Sequence, residues 1–441
     1  MTARSLYGLL GICLLFLNIY VHADENWPQW RGPTLNGTCT ATGLPDTWSE
    51  TENILWKTEL PSWSGSTPII WGGRIFLMSP SKVDANSSAD SKEKAAGGPG
   101  ILLLCISKPD GKILWERELD TGNKLNLKGN NSSPSPVTDG THVWAVTGNG
   151  TVTALTMDGE AVWTKNLQKE YGNFGINFGY ASSPLLYKDR LILEVIQGYT
   201  TKDPSYVMAC DTLTGNVLWR VERPTDAVLE SPDAYTTPTL LQYEDKTQII
   251  ISGGDYVTGH DPDTGKEIWR GGGLNPRKFD RNRFVVSPVA VDGMIYVAAC
   301  KKPVVAYRAG GTGDCTATHI AWTWDKAYAP DVPTPACDGV YFYMVGDQGV
   351  VTCLNAKTGE VIWGSEHTAP GIVSASPLLA DGKLYITNEE AVTTVLAAGP
   401  AYKVIATNTL PSEGKTLSSF AVSGSNLFLR TPTHLYCIGK K

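Results

Sequence analysis

Between the apolar segments of this chain lie aromatic, amide and charged side chains of the kinds that bind ligands. The densest run is Tyr171-Gly-Asn-Phe-Gly-Ile-Asn-Phe-Gly-Tyr180. Its glycines allow the backbone to approach a ligand while the rings stack on it. The alternative is an ordinary solvated loop surface. The side chains that we select as candidate ligand-binding groups share this aromatic or polar character: they are Trp63, Asn131, Asn177, Tyr180, Tyr235, Arg283, Lys301, Asp347 and Glu389.

Sequence motifs for catalysis are not found. The chain has no Gly-x-Ser-x-Gly nucleophile elbow. Gly414-Lys-Thr416 resembles the end of a phosphate-binding loop, but Thr409 stands where that loop requires its first glycine. The histidines beyond residue 23 lack the spacing of metal ligands, which favours structural roles; they are His142, His260, His319, His367 and His434. We therefore predict no catalytic residue and no metal ligand.

A repeated turn organises the segments around these candidates. Asp261-Pro-Asp-Thr-Gly-Lys-Glu-Ile-Trp269 places a Thr-Gly turn shortly before a tryptophan, and the pattern returns in Asp211–Trp219 and Asn355–Trp363. Looser copies end at Trp115 and Trp163. Self-similarity at a fixed period is the signature of a repeat architecture.

Each repeat opens with a Ser-Pro or Thr-Pro step before a short apolar strand. Proline suits the first residue of a strand, because its missing N–H costs the ladder nothing there. An Asp-Gly hairpin turn often follows, and two more apolar strands flank the Thr-Gly turn. The unit is therefore four antiparallel strands. Its opening steps are Thr67-Pro68, Ser135-Pro136, Ser183-Pro184, Thr237-Pro238, Ser287-Pro288, Thr334-Pro335, Ser376-Pro377 and a degenerate Ser418-Ser419.

The number of units and the fate of the last one define the architecture. Fourth-strand anchors recur every 41 to 56 residues, near the period of a propeller blade. The eighth unit stops after three strands at His434–Ile438, and Asn53-Ile-Leu-Trp-Lys57 matches the missing fourth strand. We predict an all-β, eight-bladed β-propeller of four-stranded antiparallel blades, closed by an N-terminal strand, with tryptophans packed between blades. The anchors are Trp115, Trp163, Trp219, Trp269, Trp322 (or Trp324), Trp363 and the degenerate Val404.

Composition and the N-terminus indicate an exported globular protein. The 441 residues are 42% hydrophobic and 18% charged, and the net charge of −7 argues against nucleic-acid binding. Residues 1–23 resemble a secretory signal, with Arg4 before an apolar run from Leu6 to Val21 and a small Ala23 at the cleavage point. An uncleaved membrane anchor is the alternative, which the interrupting Asn18 disfavours. We predict a periplasmic or secreted protein without a transmembrane segment once the signal is removed.

The remaining chain divides into an N-terminal arm and the repeats. Residues 24–52 are rich in proline, glycine and threonine and predict an irregular arm, and residues 53–441 form the propeller. Residues 80–100 are a polar, low-complexity insertion in the first blade, for which we expect disorder.

The cysteines predict packing rather than chemistry. Cys105, Cys353 and Cys437 fall at one register of the repeated third strand, where other units have alanine, which favours buried small side chains over a redox or metal cluster. Export permits disulfides, and Cys300 with Cys315 is the pair that we select as a candidate bridge.

The combination of a Ser-Pro strand, an Asp-Gly hairpin and the Asp-x-x-Thr-Gly-x-x-x-Trp turn resembles the pyrroloquinoline-quinone (PQQ)-like propeller repeat. The resemblance covers roughly residues 53–438. This family includes quinoprotein alcohol dehydrogenases and the propeller lipoprotein that helps assemble outer-membrane proteins. The resemblance implies a fold, whereas one fold hosts many functions.

The sequence departs from the dehydrogenases of this family in several respects. Those enzymes carry two adjacent cysteines over the quinone, and this chain has no Cys-Cys dipeptide. Their acidic and amide set around calcium, with a catalytic aspartate, matches no motif here. The Cys-x-x-Cys-His motif of a c-type haem is also missing.

The candidate residues fall on one end of the predicted ring. In a propeller, the connections between blades and those between second and third strands share one face, which we call the mouth face. We predict a non-catalytic binding or scaffold module without a cofactor, whose mouth face binds an envelope protein, a peptide or a glycan. The alternative is a divergent alcohol or sugar dehydrogenase dependent on PQQ and calcium.

Overall fold

Eight antiparallel sheets surround a central channel in the computed structural model, which describes residues 25–84, 91–300 and 303–440. The predicted eight-bladed propeller is confirmed. Each blade begins with a short strand beside the channel and ends with a strand at the periphery. The predicted signal segment, residues 1–23, lies outside the described residues.

The first half of the chain builds blades 1 to 4 after an N-terminal strand that belongs to blade 8. Strand β1 spans Ile54–Glu59. Blade 1 consists of β2 (Ile69–Trp71), β3 (Arg74–Pro80), β4 (Gly100–Ser107) and β5 (Ile113–Thr121), with helix α1 (Ser91–Ala96) between β3 and β4. A hairpin of β6 (Leu125–Asn126) and β7 (Gly129–Asn130) leads to blade 2, which consists of β8 (Val137–Thr138), β9 (His142–Val146), β10 (Thr151–Thr156) and β11 (Ala161–Asn166). After helix α2 (Leu167–Tyr171), blade 3 consists of β12 (Leu185–Tyr187), β13 (Arg190–Val195), β14 (Tyr206–Asp211) and β15 (Val217–Glu222). Blade 4 consists of β16 (Thr239–Tyr243), β17 (Lys246–Gly253), β18 (Tyr256–His260) and β19 (Glu267–Gly271).

The second half builds blades 5 to 8 on the same plan. Blade 5 consists of β20 (Val289–Val291), β21 (Met294–Ala298), β22 (Val304–Arg308) and β24 (Ile320–Trp324), with β23 (Gly313–Asp314) before its last strand. Blade 6 consists of β25 (Ala336–Cys337), β26 (Tyr341–Val345), β27 (Val350–Asn355) and β28 (Val361–His367). Blade 7 consists of β29 (Leu378–Ala380), β30 (Lys383–Thr387), β31 (Val392–Ala397) and β32 (Val404–Thr409). Blade 8 consists of β33 (Ala421–Ser423), β34 (Asn426–Arg430) and β35 (His434–Ile438), completed by β1.

The ring is closed by the N-terminal strand, as predicted. Strand β1 pairs antiparallel with β35, and Trp56 lies opposite Cys437. A hydrogen bond from the Leu60 backbone N–H to the Thr433 carbonyl extends this pairing, at 2.8 Å. Both ends of the chain therefore contribute to one sheet, in which β1 is the peripheral strand and covers the edge of β35.

The repeated tryptophans bind neighbouring blades to one another. The Trp115 Nε1 donates to the Met157 carbonyl of the next blade at 3.1 Å, and its ring packs against Gly159 of that blade's Thr-Gly-type turn. This arrangement confirms the tryptophans as packing elements. It recurs as donation to a carbonyl of the next blade by Trp56, Trp163, Trp219, Trp322 and Trp363.

The third strand places a small side chain opposite the tryptophan register, as the cysteine positions predicted. Cys105 lies opposite Trp115, Cys353 opposite Trp363, and Ala306 opposite Trp322. The last pair shows that Trp322, rather than Trp324, occupies the register of blade 5.

The anchor predicted for blade 7 is wrong by two residues. Val395 of the third strand faces Ala406, so Ala406 holds the tryptophan register and Val404 lies before the bulge. Without a tryptophan, the sequence offered no large side chain from which the register of this strand could be fixed.

Blade 4 differs from the predicted four strands. Strand β23, from the connection between the last two strands of blade 5, pairs in parallel with β19 and adds a fifth strand to the periphery. Trp269 of this blade donates to the Gln248 side chain of its own sheet at 2.7 Å, instead of to the next blade.

The N-terminal arm crosses the face opposite the mouth face. It pairs with blade 1 through Trp27 and Ile70 and with blade 7 through Thr38 and Leu379. Trp48 then packs against rings of blades 7 and 8 before the chain enters β1. The arm is irregular, as expected, yet its aromatic side chains belong to the core.

Two further expectations are corrected by the described residues. In the insertion at 80–100, residues 91–96 form helix α1, so disorder does not hold for this part, and the Asn123 side chain donates to the Ala96 carbonyl at 2.6 Å. No disulfide joins Cys300 to Cys315. Cys315 is buried against the blade 4–5 core, and the Cys300 Sγ donates instead to the Arg281 carbonyl at 3.3 Å.

Candidate functional site

The central channel is lined by a closed ring of eight hydroxyl side chains, which we call the hydroxyl ring. The backbone N–H of each member donates to the hydroxyl oxygen of its counterpart in the next blade, at 2.9 to 3.1 Å, and the eighth returns to the first. Seven members precede the blade-opening prolines, and the eighth, Ser419, holds the same place before Phe420. The members are Thr67, Ser135, Ser183, Thr237, Ser287, Thr334, Ser376 and Ser419. The repeated Ser or Thr is visible in the sequence, but the proline pattern alone did not predict that these hydroxyls line the channel.

The channel is closed at the face that carries the arm. Trp30 lines the channel end, and the buried Arg31 guanidinium lies 5.9 Å from the Trp30 ring centroid. Arg31 donates to the carbonyls of Pro377 at 2.6 Å and Pro335 at 2.8 Å, which follow two members of the hydroxyl ring. Burial lowers the pKa of Arg31 to about 9. The channel is therefore a blind cavity of about 140 Å³ that opens towards the mouth face.

On the mouth face, Arg283 connects four consecutive blade-to-blade segments. Its guanidinium lies 3.4 Å from Asp331 and 3.8 Å from Glu230, and its Cζ is 5.5 Å from the Phe178 ring centroid. These residues belong to the connections that enter blades 3, 4, 5 and 6. Arg283 thus already has two acidic partners and a ring, which makes it a bracing residue of the mouth.

Tyr235 and Asn177 lie beside this cluster. The Tyr235 hydroxyl accepts from the Phe178 backbone N–H at 3.0 Å, and Tyr235 also lines the channel. Asn177 is exposed, and its backbone N–H donates to Asp233 at 2.8 Å. Asp233 accepts two further backbone N–H groups, from Gly198 and Tyr199, while burial raises its pKa to about 6. The structure brings Asn177, Tyr235 and Arg283 together.

Glu389 lies in a second cluster on the mouth face. Its Oε1 accepts from Lys128 at 2.7 Å and from the Ser374 hydroxyl at 2.6 Å, and its Oε2 lies 3.4 Å from Lys415. Burial opposes ionisation, but the bonds from Lys128 and Ser374 outweigh it and hold the pKa of Glu389 below its usual range. Lys128 is on the β6–β7 hairpin, which is thereby tied to blade 7.

Three other candidates have partners within the protein. Asn131 is buried and exchanges side-chain hydrogen bonds with Asn126 and Asn149. Trp63 donates to the Ala95 carbonyl of helix α1 at 2.6 Å. Asp347 accepts the backbone N–H groups of Asp331 and Val332, each at 3.1 Å. These three side chains shape the mouth connections.

Tyr180 and Lys301 do not join these clusters. Tyr180 is 2% exposed and stacks on Phe174 within the core, so a ligand on the mouth face would reach it only indirectly. Burial raises its pKa well above the usual value. Lys301 lies outside the described residues.

The mouth face also carries a rim of exposed apolar side chains that sequence reasoning missed. Three of them, Leu127, Leu229 and Tyr328, have left-handed backbone conformations, with φ of 55°, 55° and 64°. Large side chains rarely adopt this region, which costs about 1–2 kcal/mol per residue. The rim spans five blade-to-blade connections, and its members are 40 to 69% exposed: Leu125, Leu127, Val228, Leu229, Phe279, Tyr328 and Ile372.

These features define an eight-bladed propeller in which tryptophans pack between the blades and the N-terminal arm closes one end of the channel. The family model described as "Outer membrane protein assembly factor BamB" matches residues 100–365 and 319–401. The chain therefore belongs to this family of PQQ-like propeller repeats. The sequence has no significant match among curated proteins.

Solved structures with the same fold have both enzymatic and assembly names. A europium-containing methanol dehydrogenase is 11% identical, with a TM-score of 0.68, over 94% of this chain and 98% of the other. The quinohemoprotein alcohol dehydrogenase of Comamonas testosteroni is 11% identical, with a TM-score of 0.64, over 95% and 81%. BamB from Moraxella catarrhalis is 13% identical, with a TM-score of 0.57, over 87% and 98%. At such identities the likeness establishes the fold alone.

The described residues do not fit a quinone with calcium. The channel cavity of about 140 Å³ is smaller than the roughly 300–1,000 Å³ of a typical cofactor or ligand pocket. Over the part of the chain that the structure describes, no three His, Cys, Asp or Glu side chains are grouped as metal ligands.

Among the helices of the described residues, none is long and apolar enough to cross a membrane.

Proposed function

We propose that this chain is an exported, non-catalytic binding module that docks a protein of the cell envelope on its mouth face. The observation that carries the proposal is the apolar rim, and above all its left-handed members Leu127, Leu229 and Tyr328. Each of these residues has two costs: a strained backbone and an apolar side chain exposed to water. Contact with a binding partner would cover the side chain and explain why the residue is apolar.

The chemistry of the rim favours a protein over a glycan. Most rim members are aliphatic, and aliphatic side chains gain by packing against apolar protein surface. Sugar rings stack better on flat aromatic faces, which the rim presents at Phe279 and Tyr328 and the mouth connection of blade 3 presents at Tyr199. The negative net charge of −7 does not favour nucleic acid. A protein partner also accords with the description of the family as an assembly factor for outer-membrane proteins.

The clusters beneath the rim support a rigid docking surface. Arg283, Asp233, Asp347 and Glu389 each bridge separate connections through hydrogen bonds or ion pairs. Connections braced in this way lose little conformational freedom on binding, which favours affinity. In this proposal, therefore, most of the predicted polar residues position the rim rather than touch the partner.

The proposal is tested by affinity capture, with cross-linking, from the envelope fraction of the source cell. The variant is L127N/L229N, because asparagine tolerates left-handed backbone and removes the apolar contact without unfolding the connection. The matched control is L114N/L218N on the outer strands β5 and β15, where the leucines are 52% and 46% exposed.

We expect one envelope protein to be captured by the wild type and by the outer-strand control, and to be lost from the rim variant. Equal capture by all three proteins would contradict docking on the mouth face. Loss from the outer-strand control alone would move the interface to the periphery of the blades.

A further inference from the structure

The hydroxyl ring has hydrogen-bond donors that no group of the described residues accepts. Each ring oxygen accepts one backbone N–H from the neighbouring blade, which occupies one of its two lone pairs. A serine or threonine hydroxyl retains one O–H proton. Among the described residues, no hydrogen bond has a ring hydroxyl as its donor. Eight such protons therefore surround the channel axis, on side chains that are all more than nine-tenths buried.

The cavity that these hydroxyls line is small and uncharged. Its described lining residues include no acidic side chain, and the layer above the ring is formed largely by small or apolar residues such as Gly65, Ala181 and Val285. A cation would require carboxylate or several carbonyl oxygens. The cavity of about 140 Å³ has room for about four water molecules, or one halide with two or three.

A buried positive charge lies directly behind the ring. Arg31 is 3% exposed, its partners are backbone carbonyls, and its Nε has no hydrogen-bond partner. No carboxylate of the described chain forms an ion pair with it. A buried, uncompensated charge is destabilising, and an anion nearby would relieve this. The low pKa of Arg31, which burial alone produces, agrees with a missing counter-charge.

Two charged clusters flank the open end of the channel, and their net charges have opposite signs. Glu389 contacts Ser374, which lines the cavity, but Lys128 and Lys415 both lie on that carboxylate. Two ammonium groups and one carboxylate give this cluster a net positive charge. The other cluster, in which Glu230 and Asp331 both lie on Arg283, has a net negative charge. The charges that favour a small anion are therefore the Lys128 and Lys415 pair on one side of the mouth and Arg31 at the base.

From this arrangement we propose that the channel is a binding site for a small monovalent anion of the halide class, held on the axis by the hydroxyl ring with Arg31 behind it. The site is separate from the protein-docking rim and does not depend on it.

The site is tested with bromide as the probe, since bromide replaces chloride and scatters anomalously. Crystals of the full mature chain grown in sodium bromide would give an anomalous peak on the channel axis, at hydrogen-bond distance from the ring hydroxyls. In solution, thermal unfolding is compared in sodium bromide, sodium chloride and sodium gluconate at equal ionic strength. A ligand that binds only the folded state raises the unfolding temperature with its concentration.

The variant is S376A, which removes one ring hydroxyl next to the Arg31 contact at Pro377. Its matched control is S66A, since Ser66 is equally buried and also accepts one backbone N–H, from Met78, but does not line the cavity. We expect S376A to weaken the halide dependence about five-fold, as the loss of one hydrogen bond would, and S66A to leave it unchanged.

Three results would overturn the proposal. They are a channel that holds water without an anomalous peak, an unfolding temperature that follows ionic strength whatever the anion, and equal halide dependence in S376A and S66A. Because the first two measurements use the wild type, they decide the matter even if a variant does not fold.

Discussion

At the scale of single residues, neighbouring blades pack through contacts between a tryptophan of one blade and a turn glycine of the next. Gly265 has a φ of +72°, and a Cβ added there would lie 2.3 Å from the Trp219 ring of the preceding blade. Gly382 has a similar φ of +67°, but an added Cβ would meet nothing within 4 Å. The two glycines therefore separate the effect of backbone conformation from the effect of packing.

We expect Gly382→Ala to lower the free energy of unfolding by about 1–2 kcal/mol, which is the penalty of the left-handed backbone alone. Gly265→Ala should lower it by at least 2 kcal/mol more, on the order of an overpacked core, because the tryptophan must move. Denaturant unfolding of both variants measures the difference. Equal losses would show that the glycine is required only for its backbone.

A second residue-scale prediction concerns Glu194, which is buried in blade 3. The Thr236 hydroxyl donates to its Oε1 at 2.9 Å, and its Oε2 has no partner. Burial raises the pKa of Glu194 from its ordinary 4.5 to about 8, although the Thr236 bond and the nearby Arg223 act in the opposite sense. An acid whose pKa is higher in the folded state takes up a proton on folding, so its contribution to stability falls as the pH rises between these values.

We therefore expect E194Q to gain stability relative to the wild type as the pH rises from about 5 to about 8. The slope is at most about 1.4 kcal/mol per pH unit, which corresponds to one proton. Chemical unfolding at several pH values measures it, with E222Q, an exposed glutamate in the same blade, as the control for lost charge. A difference that is flat over this range would mean that Glu194 is ionised throughout.

At the scale of elements, strand β1 and the arm have different roles although they are adjacent in sequence. β1 supplies the outer strand of blade 8 by pairing with β35, whereas the arm packs across the base of the channel. Loss of β1 would expose the edge of β35, and an uncovered strand edge promotes association between chains.

A chain that begins at residue 53 should fold with reduced stability, because it retains β1 and loses only the arm. A chain that begins at residue 60 should aggregate. Size-exclusion chromatography with light scattering compares the two with the full mature chain. If the shorter chain elutes as the full chain does, ring closure by β1 is dispensable.

The elements were predictable from sequence where the repeat was strong. Asp-x-x-Thr-Gly-x-x-x-Trp fixed both a turn and a register, so the blades and the closing strand followed from it. In blade 7, where Ala406 replaces the tryptophan, the register was misplaced. The fifth strand of blade 4 arises from a segment of blade 5 without a repeat signal, and only the tertiary structure places it.

The site was less predictable, because function here depends on how connections from different blades meet. Most of the described candidates lie on connections of the mouth face, but their partners are distant in sequence: Lys128 is more than 250 residues from Glu389. The rim leucines looked like ordinary loop residues, since their left-handed backbone is visible only in the structure. The hydroxyl ring had a signal in the repeated Ser/Thr before proline.

At the scale of the whole molecule, dehydrogenases and assembly factors share this fold. The fold therefore does not decide between catalysis and protein binding for this chain. The narrow, hydroxyl-lined channel and the apolar rim support binding at the mouth face rather than redox chemistry at the axis. The central claim is that the propeller binds a protein and needs no quinone.

The measurement that tests this claim most directly is calorimetric titration of a chain that begins at residue 24 with PQQ in the presence of calcium. We expect no heat of binding, and no dye reduction when an alcohol or a sugar is then added. Binding at micromolar or tighter affinity, with dye reduction, would contradict the claim and make the chain a divergent quinoprotein.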